Sequence, residues 1–248
     1  MRIVSLVPSL SELVCYLGAG RCLVGRTRFC EEPREELELV ESLGGTKDPD
    51  LERLMDLSPD LILMNEEENR REDHEVLTGA GLRCETFLPR TVDDVPEMIR
   101  RVGALLERSP EAETLGSAIE QRAERVRSRG RGRGKRFAYM IWRKPWMSAG
   151  TSTYISSLFE AAGAVNAISS EGYPEISVGS LARARPDSVL LSSEPYPFRE
   201  PHREELAIGA GIDASRIHLV DGRILSWHGS STLEALGLVE AILGCVRS

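Results

Sequence analysis

Aromatic residues are distributed unevenly along this sequence, and they are the first candidates for binding chemistry. Ten of the 13 aromatic residues lie after residue 135. Five of these fall at or just beyond the ends of predicted strands: Trp142, Trp146, Tyr196, Phe198 and Trp227. Large aromatic side chains also dominate ordinary cores, but these five stand in loops with proline, glycine and charged residues. The pattern predicts a binding surface for a planar or bulky ligand.

A polar loop in the first half of the chain is the second candidate site. It runs from Asn65 through Glu66 and Glu67 to Arg71, and it directly follows a predicted strand. In open α/β sheets, ligands bind beyond the carboxyl ends of the strands. The same residues would also suit the solvated start of a helix. The sequence leaves both interpretations open.

The histidines do not form a metal site at the level of sequence. His228, beside Trp227 in a predicted loop, is the one histidine that we nominate for ligand contact. His218 lies in a predicted strand, whereas His74 and His202 lie in charged helices where we expect them to be exposed. A protein-built zinc site needs three or four converging ligands, and no pair here has the required spacing. We predict no metal ligands among these residues.

Known catalytic motifs are missing from the sequence. It contains no GxSxG elbow, no HExxH pair, no Walker motif and no GxGxxG fingerprint. We therefore predict no catalytic residues, no cofactor and no enzymatic activity.

Composition and charge narrow the class of protein. The net charge of −8 argues against nucleic acid as the main partner, because a phosphate backbone requires a positive surface. No apolar run approaches the length of a membrane span. Met1 leads directly into a predicted strand without the apolar segment of a signal peptide, and the five cysteines form no CxxC pair. We expect a cytoplasmic monomer, with a periplasmic or cell-surface location as the alternative if the N-terminus is trimmed.

The two halves of the chain resemble each other. Residues 54–67 and 181–194 each contain a short helical segment, a Pro-Asp turn and an apolar run that ends in a polar loop. Short, nearly continuous apolar runs are typical of strands that are buried on both faces of a parallel sheet. The matched order of elements predicts two α/β units.

A long helix is predicted between the two halves, over Ser109–Arg129. Pro110 suits its first turn, arginines fill its last turns, and Leu115, Ile119, Ala123 and Val126 recur at helical spacing. The predicted fold class is α/β, with two lobes of mostly parallel sheet joined by one long backbone helix. The predicted domains are an N-terminal lobe at 1–90, a helical linker at 91–130 containing the backbone helix 110–129, and a C-terminal lobe at 131–248.

An arginine–glycine tract follows the helix. Residues 127–136 read RSRGRGRGKR. Such a tract is found in some RNA-binding segments, but a single copy on an acidic protein is more typical of a flexible, solvated connection. We predict the connection, and no nucleic-acid partner.

The order of several short motifs resembles a known family, the class III substrate-binding proteins of ABC importers. This family includes receptors for cobalamin, haem and ferric siderophores. The resemblance spans the whole chain, and the segments that carry it are Arg2–Glu12, Leu17–Gly20, Leu23–Gly25, Pro59–Leu63, Ala80–Leu82, Arg185–Asp187 and Ser226–Trp227.

The resemblance implies a ligand and a place for it. It implies non-enzymatic binding of a metal chelate, which would be a corrinoid, another tetrapyrrole or a ferric siderophore, in the cleft between the lobes. An ABC permease would be the protein partner, contacted through acidic lobe tips. Together with the aromatic pattern, the implied ligand-binding residues are Pro8, Ser9, Asn65, Glu66, Glu67, Trp142, Arg143, Trp146, Tyr196, Phe198, Trp227 and His228.

Two alternatives to a receptor follow from the same residues. A cytoplasmic tetrapyrrole metal chelatase would have a related bilobal plan, but the sequence offers it no obvious base. A cytoplasmic sensor or carrier without an importer would bind the ligand and act through a protein partner. Metal insertion into a porphyrin would distinguish the chelatase from the receptor, and a pull-down with and without ligand would identify the sensor.

Overall fold

A computed structural model describes residues 1–245 of the chain. The chain forms two compact units. The first contains Met1–Pro89 and Val95–Ser117, and the second contains Arg90–Asp94 and the chain from Ala118 onward. No helix among the described residues is long and apolar enough to cross a membrane.

The first unit is built on a five-stranded parallel sheet. Its strand order is β3-β2-β1-β4-β5. The central strands β1 and β4 are buried along their whole length, as their continuous apolar sequences predict. The strands are β1 (Ile3–Ser5), β2 (Leu23–Arg26), β3 (Glu41–Ser42), β4 (Leu61–Asn65) and β5 (Cys84–Phe87).

Helices connect successive strands of this sheet, because a parallel strand pair requires a crossover connection. Leu54 from α3 and Leu77 from α4 pack with Val4 and Ile62 in one buried core. The connecting helices are α1 (Pro8–Tyr16), α2 (Arg34–Leu37), α3 (Leu51–Asp56) and α4 (Arg71–Gly79), and α5 (Asp94–Leu105) follows β5.

The long helix α6 (Ser109–Arg129) has the bounds that the sequence predicts, and the division between the units falls within it, after Ser117. Its predicted apolar stripe is buried: Leu115, Ile119, Ala123 and Val126 are at most 3% exposed. The predicted fold class is therefore confirmed, with one mostly parallel sheet in each unit and one long helix that belongs to both.

The second unit contains a mixed sheet with the order β10-β9-β6-β7, and β8 also pairs with β6. All of its pairs are parallel except the antiparallel pair of β6 and β7. The strands are β6 (Arg136–Trp142), β7 (Met147–Ala149), β8 (Val165–Asn166), β9 (Ser188–Ser192) and β10 (Ile217–Val220). The helices are α7 (Tyr154–Ala161), α8 (Val178–Ala184), α9 (Glu200–Ala210), α10 (Gly222–Ser226) and α11 (Thr232–Cys245).

Some local predictions are confirmed and others are wrong. The sequence predicts Ser177 as a helix N-cap, and Ser177 caps α8 as a capping-box residue. It also predicts strands over Arg136–Trp142 and Ser188–Ser192, which are the bounds of β6 and β9. The sequence also predicts Ser9 or Ser11 as the N-cap of α1, but α1 begins at Pro8 after Val7, without a side-chain cap. Proline at the first helical position has no N–H group to be capped. The closing helix is predicted to reach residue 246, which lies outside the described residues.

The arginine–glycine tract ends α6, forms a turn and begins β6. Residues 131–134 form a hydrogen-bonded turn, in which the Gly132 N–H donates to the Ala162 carbonyl over 2.8 Å. The Lys135 N–H donates back to the Gly132 carbonyl over 2.9 Å. The tract thus connects α6 to β6 through a turn that packs against the end of α7, and the exposed Arg131 and Arg133 agree with the predicted solvation. Its predicted flexibility stays a prediction.

Candidate functional site

Two loops of the second unit meet at one edge of its sheet. The turn from Arg143 to Trp146 follows β6, and the loop from Ser193 to Arg199 follows β9. Strands β6 and β9 are parallel neighbours, with Met140 opposite Leu191 near their ends. Because parallel strands end at the same edge, the two loops lie side by side there, which is where α/β sheets bind ligands.

Four of the five predicted aromatic residues are in contact at this edge. The rings of Trp142 and Tyr196 meet edge-on at 5.6 Å, and the rings of Trp146 and Phe198 stack at 5.8 Å. Tyr196 and Phe198 join the two pairs at 4.8 Å. The structure therefore assembles an aromatic cluster from residues that are far apart in sequence. Trp227 lies on a different segment, after α10.

Burial divides the cluster into a core side and a solvent side. Phe198 is 5% exposed and belongs to the buried core of the unit, against which Trp146 and Tyr196 pack. Trp227 is 9% exposed, whereas Trp142 is 39% exposed. Phe198 and Trp227 are therefore core residues as well as loop residues. The indole of Trp142 is the aromatic surface of this cluster that is most available to a ligand.

His202 joins the cluster, although the sequence analysis expects it to be an exposed helix residue. Its ring lies 5.3 Å from Tyr196 and 5.7 Å from Phe198. Its Nδ1 accepts the Arg199 backbone N–H at 3.0 Å, and its Nε2 lies 3.2 Å from the Tyr196 hydroxyl. With Nδ1 as acceptor, a neutral imidazole carries its proton on Nε2 and donates to Tyr196. One signal for this role is present in the sequence. His202 is the third residue of α9, a position from which a side chain can accept the backbone N–H of the residue before the helix.

Arg143 places a positive charge beside the aromatic rings. Its Nη2 lies 2.6 Å from Glu205 Oε2, and its guanidinium lies 5.9 Å from the centre of the Trp146 ring. The hydrogen bond that Arg143 donates to the Glu205 carboxylate raises the pKa of Arg143. The neighbouring Lys144 is exposed and has a left-handed backbone, with φ 66°. This edge thus combines a flat apolar surface with cationic groups.

In the first unit, the loop after β4 is held by two asparagines. Asn69 Oδ1 accepts the Asn65 N–H at 2.8 Å, and Asn69 Nδ2 donates to the carbonyls of Leu6 and Thr46 at 3.1 Å. Asn65 Oδ1 in turn accepts the N–H of Glu67 at 2.8 Å. These bonds satisfy buried backbone groups and fix the shape of the loop. The sequence analysis did not identify Asn69, because its role depends on contacts with distant segments.

The predicted residues of this loop differ in exposure. Glu66 and Glu67 are exposed, whereas Asn65 is 2% exposed and shapes the loop. Pro8 and Ser9, at the start of α1, are also buried. Of these five predicted residues, only the two glutamates present their side chains to solvent.

Substituting Asn69 by alanine should loosen this loop without unfolding the unit. Each lost hydrogen bond that leaves a buried group unpaired costs about 1 to 3 kcal/mol. We expect amide hydrogen exchange at Asn65 to accelerate at least roughly tenfold, which corresponds to about 1.4 kcal/mol. Glu66→Ala is the matched control in the same loop, because its backbone bond to Phe87 needs no side chain. Equal exchange in both variants would contradict the assigned role of Asn69.

His228 lies in the interior of the second unit. It is 8% exposed, and its ring meets Tyr154 edge-on at 5.9 Å. Burial lowers its pKa to about 4, so the imidazole is neutral near pH 7. The sequence predicts ligand contact for His228 from its place beside Trp227 in a loop. The structure shows the loop position but buries the side chain.

A cavity of about 320 Å³ lies in the first unit, and no predicted site residue lines it. It is lined by Glu12, Cys15, Tyr16, Glu32, Pro33 and Glu36. Burial, followed by the neighbouring Glu36, raises the pKa of Cys15 to about 12, so this thiol is not a nucleophile near neutral pH. Across the described part of the chain, no three His, Cys, Asp or Glu side chains are placed to hold a metal ion.

A family model described as periplasmic binding protein matches residues 3–208 of the chain. Curated relatives include the vitamin B12-binding protein of Pectobacterium carotovorum subsp. carotovorum (strain PC1). It is 26% identical over 201 residues, which cover 78% of this chain and 72% of that protein. The vitamin B12-binding protein of Vibrio cholerae serotype O1 (strain M66-2) is 24% identical over 194 residues, covering 77% of this chain and 70% of that protein.

Solved structures of similar proteins share the whole fold. The vitamin B12-binding protein BtuF of Vibrio cholerae aligns with a TM-score of 0.85 and 21% identity, covering 98% of this chain and 96% of that chain. A periplasmic haem-binding protein from Pseudomonas aeruginosa aligns with a TM-score of 0.86 and 24% identity, covering 99% of this chain and 94% of that chain.

Proposed function

Because this chain belongs to the periplasmic binding protein family, whose model matches residues 3–208, we propose that it binds a metal chelate without changing it chemically. The named relatives bind vitamin B12, and similar folds bind vitamin B12 or haem. The ligand class that we propose is a corrinoid or another tetrapyrrole. The expectation that it lies in a cleft between the two lobes stays a prediction.

The observation that carries the proposal is the aromatic cluster at the sheet edge of the second unit. The exposed indole of Trp142 is supported edge-on by Tyr196. The next residues along the chain are Arg143, which pairs with Glu205, and the exposed Lys144. A rigid, flat and apolar surface suits the face of a macrocycle, since stacking on it requires little loss of side-chain freedom.

The negative charge of the loop after β4 favours a ligand that carries hydrogen-bond donors around its ring. Glu66 and Glu67 present exposed carboxylates, which accept hydrogen bonds from amide N–H groups and repel carboxylates. A corrinoid carries amide groups around its ring, whereas haem carries carboxylates. If both loops contact the ligand, these glutamates favour the corrinoid.

A binding panel tests the function. We would titrate the purified protein by isothermal calorimetry with cyanocobalamin, dicyanocobinamide, haemin, a ferric siderophore and free cobalt or iron salts. We expect the protein to bind one of the chelates with micromolar or tighter affinity. The ligand recovered afterwards should have an unchanged mass. Absence of binding to every chelate would overturn the proposal. Metal insertion into protoporphyrin would overturn it in favour of a chelatase.

Trp142→Ala should weaken chelate binding roughly 10- to 30-fold, because removal of an exposed stacking surface costs about 1.4 to 2 kcal/mol. Trp142→Phe should retain most of the affinity. Phe29→Ala is the matched control, since Phe29 is also an exposed aromatic residue, 51% exposed, but belongs to the first unit and to no predicted site. Titration calorimetry is the appropriate measurement, because the substitution also removes a fluorophore. An unchanged affinity in Trp142→Ala would exclude the cluster as the stacking surface.

The proposed partner and location follow from the family. We propose that the chain acts outside the cytoplasm and delivers its ligand to an ABC permease. Fractionation of the source cells, with detection of the native protein by a specific antibody, tests the location. Recovery of the protein in the cytoplasmic fraction alone would favour a sensor or carrier instead.

A further inference from the structure

The segment from residue 125 to residue 136 has an unusual charge for this acidic protein. It contains seven arginine or lysine residues and no aspartate or glutamate, in a chain with a net charge of −8. The backbone conformation requires the three glycines that separate the basic residues. Gly130 and Gly134 have φ of +52° and +78°, and a Cβ on Gly132 would lie 2.6 Å from the Ala164 nitrogen. The turn does not by itself require the arginines.

Some cations of the segment have structural partners. Arg127 pairs with Asp93 at 2.6 Å, Arg129 pairs with Glu240 at 3.2 Å, and the Lys135 ammonium donates to the Leu243 carbonyl. Arg131 and Arg133 are exposed and form no ion pair with any described residue. Arg125 and Arg136 of the same segment are also exposed, and neither forms an ion pair with a described residue. The fold therefore leaves four charges of the segment available.

Further cations lie close to the same turn. The exposed Arg136 donates through Nε to the carbonyl of Ala184 at 3.2 Å, and Ala184 stands between Arg183 and Arg185 in the sequence. Both of these arginines are exposed. We call Arg131, Arg133, Arg136, Arg183 and Arg185 the basic surface. It lies where β6 and β9 begin, at the sheet edge opposite the aromatic cluster.

An exposed aliphatic residue adjoins the basic surface. Val165 is 51% exposed, pairs with Arg136 in the sheet, and donates its N–H to the Lys135 carbonyl at 2.9 Å. No exposed aromatic ring lies in the segments that form this surface. Proteins that bind single-stranded nucleic acid add aromatic stacking platforms to their cations. Lipid-binding surfaces combine cations with apolar residues, which can be aliphatic or aromatic, so they do not require an aromatic ring.

We propose that the basic surface binds the anionic headgroups of a phospholipid bilayer. The overall negative charge does not prevent this, since charges more than about 10 Å away are largely screened at physiological salt. Each basic residue at an anionic membrane surface strengthens binding roughly fivefold. The surface is independent of the aromatic cluster, so it can hold the protein at a membrane while the other sheet edge stays open to ligand.

Vesicle co-sedimentation tests the proposal. The protein should bind phosphatidylglycerol vesicles at about 50 mM salt, bind phosphatidylcholine vesicles at least roughly tenfold more weakly, and lose affinity steeply as salt rises. The double variant Arg131→Gln/Arg183→Gln should weaken binding to phosphatidylglycerol roughly 25-fold. The matched control, Arg34→Gln/Arg71→Gln, removes the same charge from exposed positions of the first unit and should bind as the wild type does.

Three results would overturn the proposal. The first is equal binding to phosphatidylglycerol and phosphatidylcholine vesicles, or no binding to either. A second is an equal loss of affinity in both double variants, which would indicate net charge rather than this surface. The third is tighter binding to a single-stranded oligonucleotide than to phosphatidylglycerol at equal phosphate concentration, which would assign the surface to nucleic acid. Circular dichroism of each variant at the assay temperature verifies that it is folded.

Discussion

Substituting Glu240 by glutamine should lower the free energy of unfolding of the second unit by about 3 kcal/mol. The Glu240 side chain is 7% exposed and pairs with Arg122 at 3.0 Å and with Arg129 at 3.2 Å. Removing one member of a buried ion pair leaves the other charges without compensation, which costs more than the pair contributes. Arg122 is 25% exposed and Arg129 is 52% exposed, so water relieves part of the penalty.

Tryptophan fluorescence is well suited to measuring this effect. All three tryptophans, Trp142, Trp146 and Trp227, lie in the second unit, so the urea unfolding curve reports that unit alone. Glu234→Gln is the matched control, because Glu234 is exposed on the same helix. We expect the control to change stability by less than about 1 kcal/mol. If Glu240→Gln lowers the free energy of unfolding by less than about 1 kcal/mol, the ion pairs of Glu240 contribute no more than surface ion pairs do.

Acidification from pH 7 to about pH 4.5 should destabilise the second unit by about 2.5 kcal/mol through His228 alone. Burial lowers the pKa of His228 from 6.5 in the unfolded chain to about 4 in the fold. Between these two values, the unfolded chain binds a proton that the folded unit excludes. Stability is therefore complete above pH 6.5 and falls as the pH decreases toward 4.

The measurement is the difference in pH dependence between the wild type and His228→Gln. If glutamine fills the space of the buried imidazole imperfectly, the variant is less stable than the wild type at every pH. Its stability should nevertheless fall less steeply between pH 6.5 and pH 4.5. His218, whose pKa burial also lowers, contributes in the same direction and is present in both proteins. His74→Gln, in the first unit, is the control and should keep the wild-type slope in the fluorescence assay. Identical slopes in His228→Gln and the wild type would contradict the assigned burial.

Long and strongly patterned elements were predictable from the sequence. The bounds of α6, β6 and β9 agree with the prediction, because a helical stripe or a continuous apolar run determines each of them locally. Three short strands were not predicted: β3 and β8 have two residues each, and β7 has three. The equally short β1 was predicted, because a longer apolar run surrounds it. Segments of this length contain no readable periodicity, and their pairing depends on strands elsewhere in the chain.

The candidate site shows the same limit. The sequence identified the aromatic loops of the second unit, because tryptophan and tyrosine among prolines and charges are unusual in a core. It could not separate Trp142, which is exposed, from Phe198, which is 5% exposed. It also missed His202, since the contact of that ring with Tyr196 depends on where α9 begins relative to β9.

The sequence by itself determined the class of fold, the long helix and the family, since these follow from local pattern and from the order of motifs along the chain. The tertiary structure alone decided which polar and aromatic side chains face solvent. It buried His228 and Asn65, and it left Trp142, Glu66 and the arginines of the basic surface exposed. Exposure is a property of packing between distant segments, so the pattern of neighbouring residues cannot determine it.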